Sequence, residues 1–368
     1  MRKLLAAIAV AIGVCAGQAH SREIAFVANG DEGTVSLVDV AARAELGRLD
    51  VNPAKLKETQ SAPNYAQDAE VSPDGRTLYI SRGYLGDVVA VDIASRKLQW
   101  TSKVDPGRAD HLALSRDGRT LFVSADTENV VRRLDAATGK ITGEIPAGVF
   151  PHDTKLTRDG RRLFNTSTGP VGVPITGPDA HGRALYQLTI ADADSLRVLE
   201  TIPFEIGVRP WKFMPDESGF YAQLSNQHAV IAFDLKTRRI VRRLELPVAP
   251  GVTPADWAYD APHHGVALTA DGHTLCLAGR GSDYAALVRA PELTLITTVP
   301  VGDAPGWAAM ADHDRLCLLP NQRSNDLSIV SLTERRELAR IKVGKGPKHV
   351  VVADIPETVL RAFRAAPP

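Results

Sequence analysis

The chain has 368 residues, and its 43 Lys+Arg against 43 Asp+Glu give a formal net charge of zero. No basic run stands out, which argues against nucleic acid as a partner. Once a leader is discounted, about 349 residues remain, enough for one large closed architecture or two ordinary domains, and internal repetition has to decide between them.

Residues 1–19 read as a secretory signal peptide. Arg2 and Lys3 precede an apolar run from Leu4 to Val14, and Gly17-Gln18-Ala19 puts small residues at the two positions a signal peptidase reads. The run is shorter than the roughly 20 residues a spanning helix needs, so no membrane span is expected after cleavage at Ala19. Cys15 does not suit lipidation, because Val14 stands where a lipobox requires Gly or Ala. The expected location is periplasmic or secreted.

From residue 20 onward the elements are short strands. Ile24 to Asn29, Val35 to Asp39 and Ala44 to Leu49 supply three strands of a four-stranded unit that lacks its first. Next comes Val71-Ser72-Pro73-Asp74-Gly75-Arg76-Thr77-Leu78-Tyr79-Ile80-Ser81, and it returns 43 residues later as Leu114-Ser115-Arg116-Asp117-Gly118-Arg119-Thr120-Leu121-Phe122-Val123-Ser124. Further copies surround Asp159-Gly160 and Asp271-Gly272, with blurred ones at Asp216 to Tyr221 and Asp312 to Leu318. A strand-built period of about 40–50 residues means a propeller.

Each unit reads as strands A to D, because alternating or β-branched apolar runs are separated by turn residues. In the second unit these are Ala69 to Ser72, Thr77 to Ser81, Val88 to Asp92 and Leu98 to Lys103. Asp-Gly suits the A-to-B hairpin because glycine accepts positive φ without steric cost. Six A strands begin near Asp68, His111, Asp153, Trp211, Gly265 and Trp307, and His349 to Asp354 is a lone A strand at the end. The expected fold is therefore all-β: a seven-bladed β-propeller of four-stranded blades over 20–357. The C-terminal strand joins the N-terminal blade to close the ring, which removes a hazardous sheet edge. Residues 358–368 are left as a tail.

The Ser-Pro-Asp-Gly-Arg-Thr-Leu-Tyr-Ile-Ser phrase, with Ala28-Asn29 before Thr34-Val35-Ser36-Leu37-Val38-Asp39, resembles the repeats of YVTN-family β-propellers. The resemblance covers essentially the whole mature chain and implies the fold. It extends, at superfamily level, to haem d1-domain propellers and seven-bladed lactonases, and it carries over no active-site residue, since the repeat builds turns and cores.

Successive strands of a blade are antiparallel, so B-to-C and D-to-A loops share one face. That face holds the long insertions Val51 to Asn64, Thr168 to Arg183 and Val248 to His264. Long loops on one side of a rigid scaffold are where function concentrates. Its D-to-A loops also repeat one phrase: Pro151-His152-Asp153, Arg209-Pro210-Trp211, Pro262-His263-His264, Pro305-Gly306-Trp307 and Pro347-Lys348-His349, with Asp110-His111 and Gln67-Asp68 in the same register. Sevenfold symmetry directs these toward one axis.

The candidate ligand site is thus His111, His152, Asp153, Arg209, Trp211, His263, His264, Trp307 and His349. His111, His152, His264 and His349 are the candidate ligands of a transition metal or a haem-like tetrapyrrole, because imidazole suits Zn, Cu and Fe. Two other readings stand beside this one. The phrase can simply cap strands and pack loops, or the histidines can hold an anion or small organic molecule together with Arg108, Arg209 and Lys348. A one-residue register error would remove some of these side chains from the channel. His181 lies in a loop able to fold over the mouth. Asp126, Asn226, His228, Arg280, Asp283 and Arg323 are rim positions, and Tyr84, Trp257 and Tyr259 are candidate stacking rings.

Cys-x-x-Cys-His, His-Glu-x-x-His and Gly-x-Ser-x-Gly are all absent from the sequence. No nucleophile shows an identifiable base and orienting group, which favours binding over turnover. The expected function is an exported binding or accessory protein for a metal, cofactor or small molecule, with a periplasmic protein as a candidate partner. A periplasmic enzyme, lactonase-like or tetrapyrrole-modifying, and a protein-interaction scaffold are the alternatives. Cys276 and Cys317 occupy matching strands, for which a spacing of roughly 9–10 Å is expected, beyond the ~7 Å limit of a disulfide; both are read as buried thiols, with a disulfide as the alternative.

Overall fold

In a computed structural model of the chain, which describes residues 21–57, 63–169, 185–257 and 260–367, the repeated Ser/Thr-x-Asp-Gly phrase folds into the same turn four times. The amide of Gly75, Gly118, Gly160 or Gly272 donates to the carbonyl of the Ser or Thr three residues before it, at 2.8 Å in every case. Each glycine takes a φ between 68° and 74°, which a residue with a Cβ adopts only at a steric cost. In the blurred copies non-glycine residues accept that strain, Glu217 at φ 57° and Asp314 at 65°.

These turns join strands A and B of seven four-stranded antiparallel sheets arranged as a ring. This is the expected seven-bladed β-propeller. The inner strands are Pro347–Pro356, Asp68–Val71, Ala109–Leu114, Pro151–Leu156, Val208–Phe213, Val266–Leu268 and Ala309–Ala311, here counted as blades one to seven. Blade one closes the ring: Pro347–Pro356 pairs antiparallel with Ser21–Asn29, from Ser21 opposite Pro356 to Asn29 opposite Pro347. Apolar clusters fill the spaces between adjacent blades, so each sheet is buried on both faces.

Two expectations change. Cys276 and Cys317 form a disulfide between blades six and seven, with Cα atoms 6.5 Å apart. Equivalent B strands come that close where small residues, Ala267, Ala278, Ala285 and Ala308, take part in the cluster around the bond beside Leu287, Val299 and Leu319. The C-terminal tail is also not free. Glu357–Ala365 is a helix, whose Val359, Leu360 and Phe363 are buried in the core shared by blades one and two, with the Arg96 guanidinium 4.1 Å over the Phe363 ring. An i, i+1, i+4 apolar stripe was its signal in the sequence. The expected signal peptide with Cys15, the loop residue His181 and the candidate stacking ring Tyr259 lie outside the described residues. No helix among the described residues is long and apolar enough to cross a membrane.

Candidate functional site

The inner strands do not keep strict alternation where they enter from the loop-rich face. In blade three Ala109 pairs with Ala125 and Leu112 with Val123, so Asp110 and His111 together oppose Ser124. The same two-against-one bulge places His152 and Asp153 opposite Thr166, and Arg209 and Pro210 opposite Gln223. In blade one the register slips at Lys348. A bulge re-aims side chains at the end of a strand, and here neighbours that alternation would send to opposite faces both reach the channel. His152 lines its mouth and Asp153 its deeper part.

His111, His152, His264 and His349 meet at that mouth. Ring centroids lie 4.5 Å apart for His111 and His152, 5.5 Å for His152 and His264, and 5.9 Å for His111 and His349. All four are buried. Trp307 stacks on His111 at 5.0 Å and meets His349, tilted, at 4.1 Å. The enclosed cavity is about 40 Å³, room for an ion or a water or two but not for a macrocycle.

The hydrogen bonds assign the nitrogens. Asp68 accepts from His111 Nδ1 at 2.9 Å and from His349 Nε2 at 2.9 Å. Its carboxylate also accepts from the amides of Ala69 and Leu112. The Gly306 carbonyl takes the Nδ1 of His264 at 2.8 Å. The Nε2 atoms of His152 and His264 then face each other at 3.4 Å. Nε2 of His111 is buried without a hydrogen-bond partner. Nitrogen atoms of His111, His152 and His264, one from each ring, lie within 4.8 Å of one another. Histidine ligands of metals characteristically donate their second N–H to a carboxylate or a backbone carbonyl, and Asp68 and Gly306 supply both kinds of acceptor.

Charge divides the cluster. Burial, then the repulsion of the other rings and of the arginines, holds His152 and His264 well below the ordinary imidazole range, so they are neutral. His111 is also pushed down by burial, but Asp110 and Asp68 outweigh that and raise it to about 9. Asp68 itself stays well below the usual carboxylate range, because His349 and His111 more than offset its burial. Around the rings the described residues that line the mouth include Arg108, Arg209, Arg280 and Lys348, with Arg108 paired to Asp110 and Asp126. Arg209 is pushed down to about 10 by burial.

Not every expected residue is here. Trp211, expected at the mouth, is 1% exposed in the core between blades four and five, against Phe164, Phe213 and Phe220. The bulge at Arg209–Pro210 ends before it, so Trp211 is back in register opposite Ala222 and faces the blade interior. Trp307 precedes the short strand Ala309–Ala311 and escapes that register. Asp153 accepts from Lys155 Nζ at 2.7 Å, away from the imidazoles. His263 turns away from the channel to the Tyr284 hydroxyl at 3.1 Å and to His228, on which Trp257 packs in turn. Of the rim candidates Arg280 lines the mouth, as does the candidate stacking ring Tyr84, while Asp126 pairs with Arg108. Sequence reasoning missed Asp68 as the hub of the cluster, although it shares the register of His111.

These features define a seven-bladed β-propeller with a histidine cluster at its loop-rich channel mouth. No family model matches the chain, and no curated protein does. Among solved structures it is similar to Kuenenia stuttgartiensis hydrazine synthase, at 18% identity over 83% of this chain and 91% of that one, with a TM-score of 0.66. It is also similar to dihydro-heme d1 dehydrogenase NirN in complex with DHE, at 14% identity over 92% of this chain and 76% of that one, with a TM-score of 0.58. At such identities the likeness is one of fold, and the YVTN resemblance stands at the level of the propeller.

Proposed function

We propose that the protein is an exported binding protein that holds one transition-metal ion at the channel mouth through Nε2 of His111, His152 and His264. The observation that carries this is the pair of facing Nε2 atoms at 3.4 Å. Two nitrogens tetrahedrally bound at about 2.0–2.1 Å to one metal stand about 3.4 Å apart, whereas two neutral imidazoles share at most one hydrogen bond there. His349 stays on Asp68 and orients His111. The basic lining suits an anionic group as the remaining ligand, and the leader-like N-terminus supports export.

A haem-like tetrapyrrole is a second reading, favoured by the four basic side chains, which suit its carboxylates, and by the shared fold of NirN, a dihydro-heme d1 dehydrogenase. The small cavity would leave such a ring above the imidazoles instead of among them.

Titrating the metal-free mature chain with Zn, Cu(II) and Co(II) tests the proposal. One ion per chain is expected, lost in the His152→Ala, His264→Ala double variant with the melting temperature of the metal-free protein kept. Haemin binding, with no metal uptake, would transfer the site to the second reading. No uptake of any of these sinks both.

A further inference from the structure

Below Trp307 and His349 the channel widens into a second chamber of about 310 Å³, open toward the face of the short turns. That is about ten water volumes at ~30 Å³ each, and it falls at the small end of the ~300–1,000 Å³ range of small-molecule sites.

One equivalent position of the inner strands governs this chamber. Blades two, four and five place Glu70, Lys155 and Lys212 there, opposite Tyr79, Phe164 and Tyr221 of their B strands. The other four blades hold alanine, methionine or valine at the matching position, opposite Phe122, Cys276, Cys317 and Ala25. The fold therefore does not need charge there. The chamber is charged on one side and apolar on the other, where Leu268, Met310 and Val352 line it.

The charges are also not resolved among themselves. Lys155 is tied to Asp153 at 2.7 Å. Among the described residues neither the Glu70 carboxylate nor the Lys212 ammonium makes a hydrogen bond or an ion pair within 4 Å, yet each alters the other's proton affinity. Burial, then Asp68, raises Glu70 to about 8, and burial, then Lys155, lowers Lys212 to about 8. Near neutral pH Glu70 is therefore mostly protonated and Lys212 mostly charged, and half-buried ionisable groups left without a direct partner across a gap are costly unless something spans them.

We propose that this chamber is a second ligand site, for a small zwitterion with an apolar side group, of the free amino-acid kind. The ligand's ammonium meets Glu70, which releases its proton to solvent as the ligand binds, the ligand's carboxylate meets Lys212 and Lys155, and its side group packs on Leu268, Met310 and Val352. The site uses other side chains than the metal at the mouth and borders it at Trp307, His349 and Asp68.

Calorimetry on the metal-free mature chain decides it, with leucine as the probe and 4-methylpentanoate and isoamylamine as analogues that each keep one charge. Leucine should bind at least roughly tenfold more tightly than either analogue, the effect of one charge-assisted contact. Glu70→Gln and Lys212→Met should each weaken it by a similar factor at unchanged melting temperature, and His152→Ala should leave it alone. Equal binding of leucine and 4-methylpentanoate overturns the zwitterion, and absence of heat from all three overturns the site. Should a variant fold poorly, the analogue series on the unsubstituted protein still decides.

Discussion

The two halves of the channel are made from the same seven inner strands and are chemically unlike. Above Trp307 and His349, four imidazoles, two of them held by the Asp68 carboxylate, line a cavity of only about 40 Å³. Below them, regular strands leave about 310 Å³ in which Lys155 is paired with Asp153 while Glu70 and Lys212 do not touch. The bulge makes the difference. Where alternation is kept, only every second side chain of an inner strand faces a given blade, and where it is broken two neighbours reach the axis together.

The largest expected effect is on the partition itself. Ending the chain at Gly346 removes His349, the inner strand of blade one and the C-terminal helix, so both halves should vanish with the fold. The truncated protein should show no cooperative thermal transition, and a melting curve like that of the full chain would refute closure by Pro347–Pro356.

The two tryptophans separate core from partition. Trp211→Ala should cost about 3–5 kcal/mol in denaturant unfolding, as a large ring leaves a sealed core. Trp307→Ala should cost less, about 1–2 kcal/mol, because its loss opens into existing space, and it should weaken ligands of both chambers. Equal losses of stability would mean that Trp307 is a core residue like its counterpart.

The smallest effect sharpens the upper half alone. His111 is held protonated up to about pH 9, while His152 and His264 are neutral well below that. A metal at His111 must displace that proton, so apparent affinity should rise about tenfold per pH unit between pH 7 and 9 and then level off, with about one proton released per ion. Competition titrations across that range, in buffers of differing ionisation enthalpy, measure both quantities. A flat profile would remove His111 from the ligand set.

Much of this was legible in residue order. The 43-residue return of Ser/Thr-x-Asp-Gly marks hairpins through glycine's tolerance of positive φ, and the unpaired strands at the two ends imply ring closure. The shared Pro-x-His and Pro-x-Trp phrases told which loops approach the axis, because sevenfold repetition converts equal register into spatial convergence. Residue order did not tell Trp211 from Trp307, nor His263 from His264. That choice depends on where each bulge restores the sheet register, a matter of pairing with the neighbouring strand. The Cys276–Cys317 bond likewise depends on how closely alanines let two blades approach. Asp68 and the Glu70–Lys212 pair were silent for the same reason, since their partners lie on other blades and only the closed ring brings them face to face.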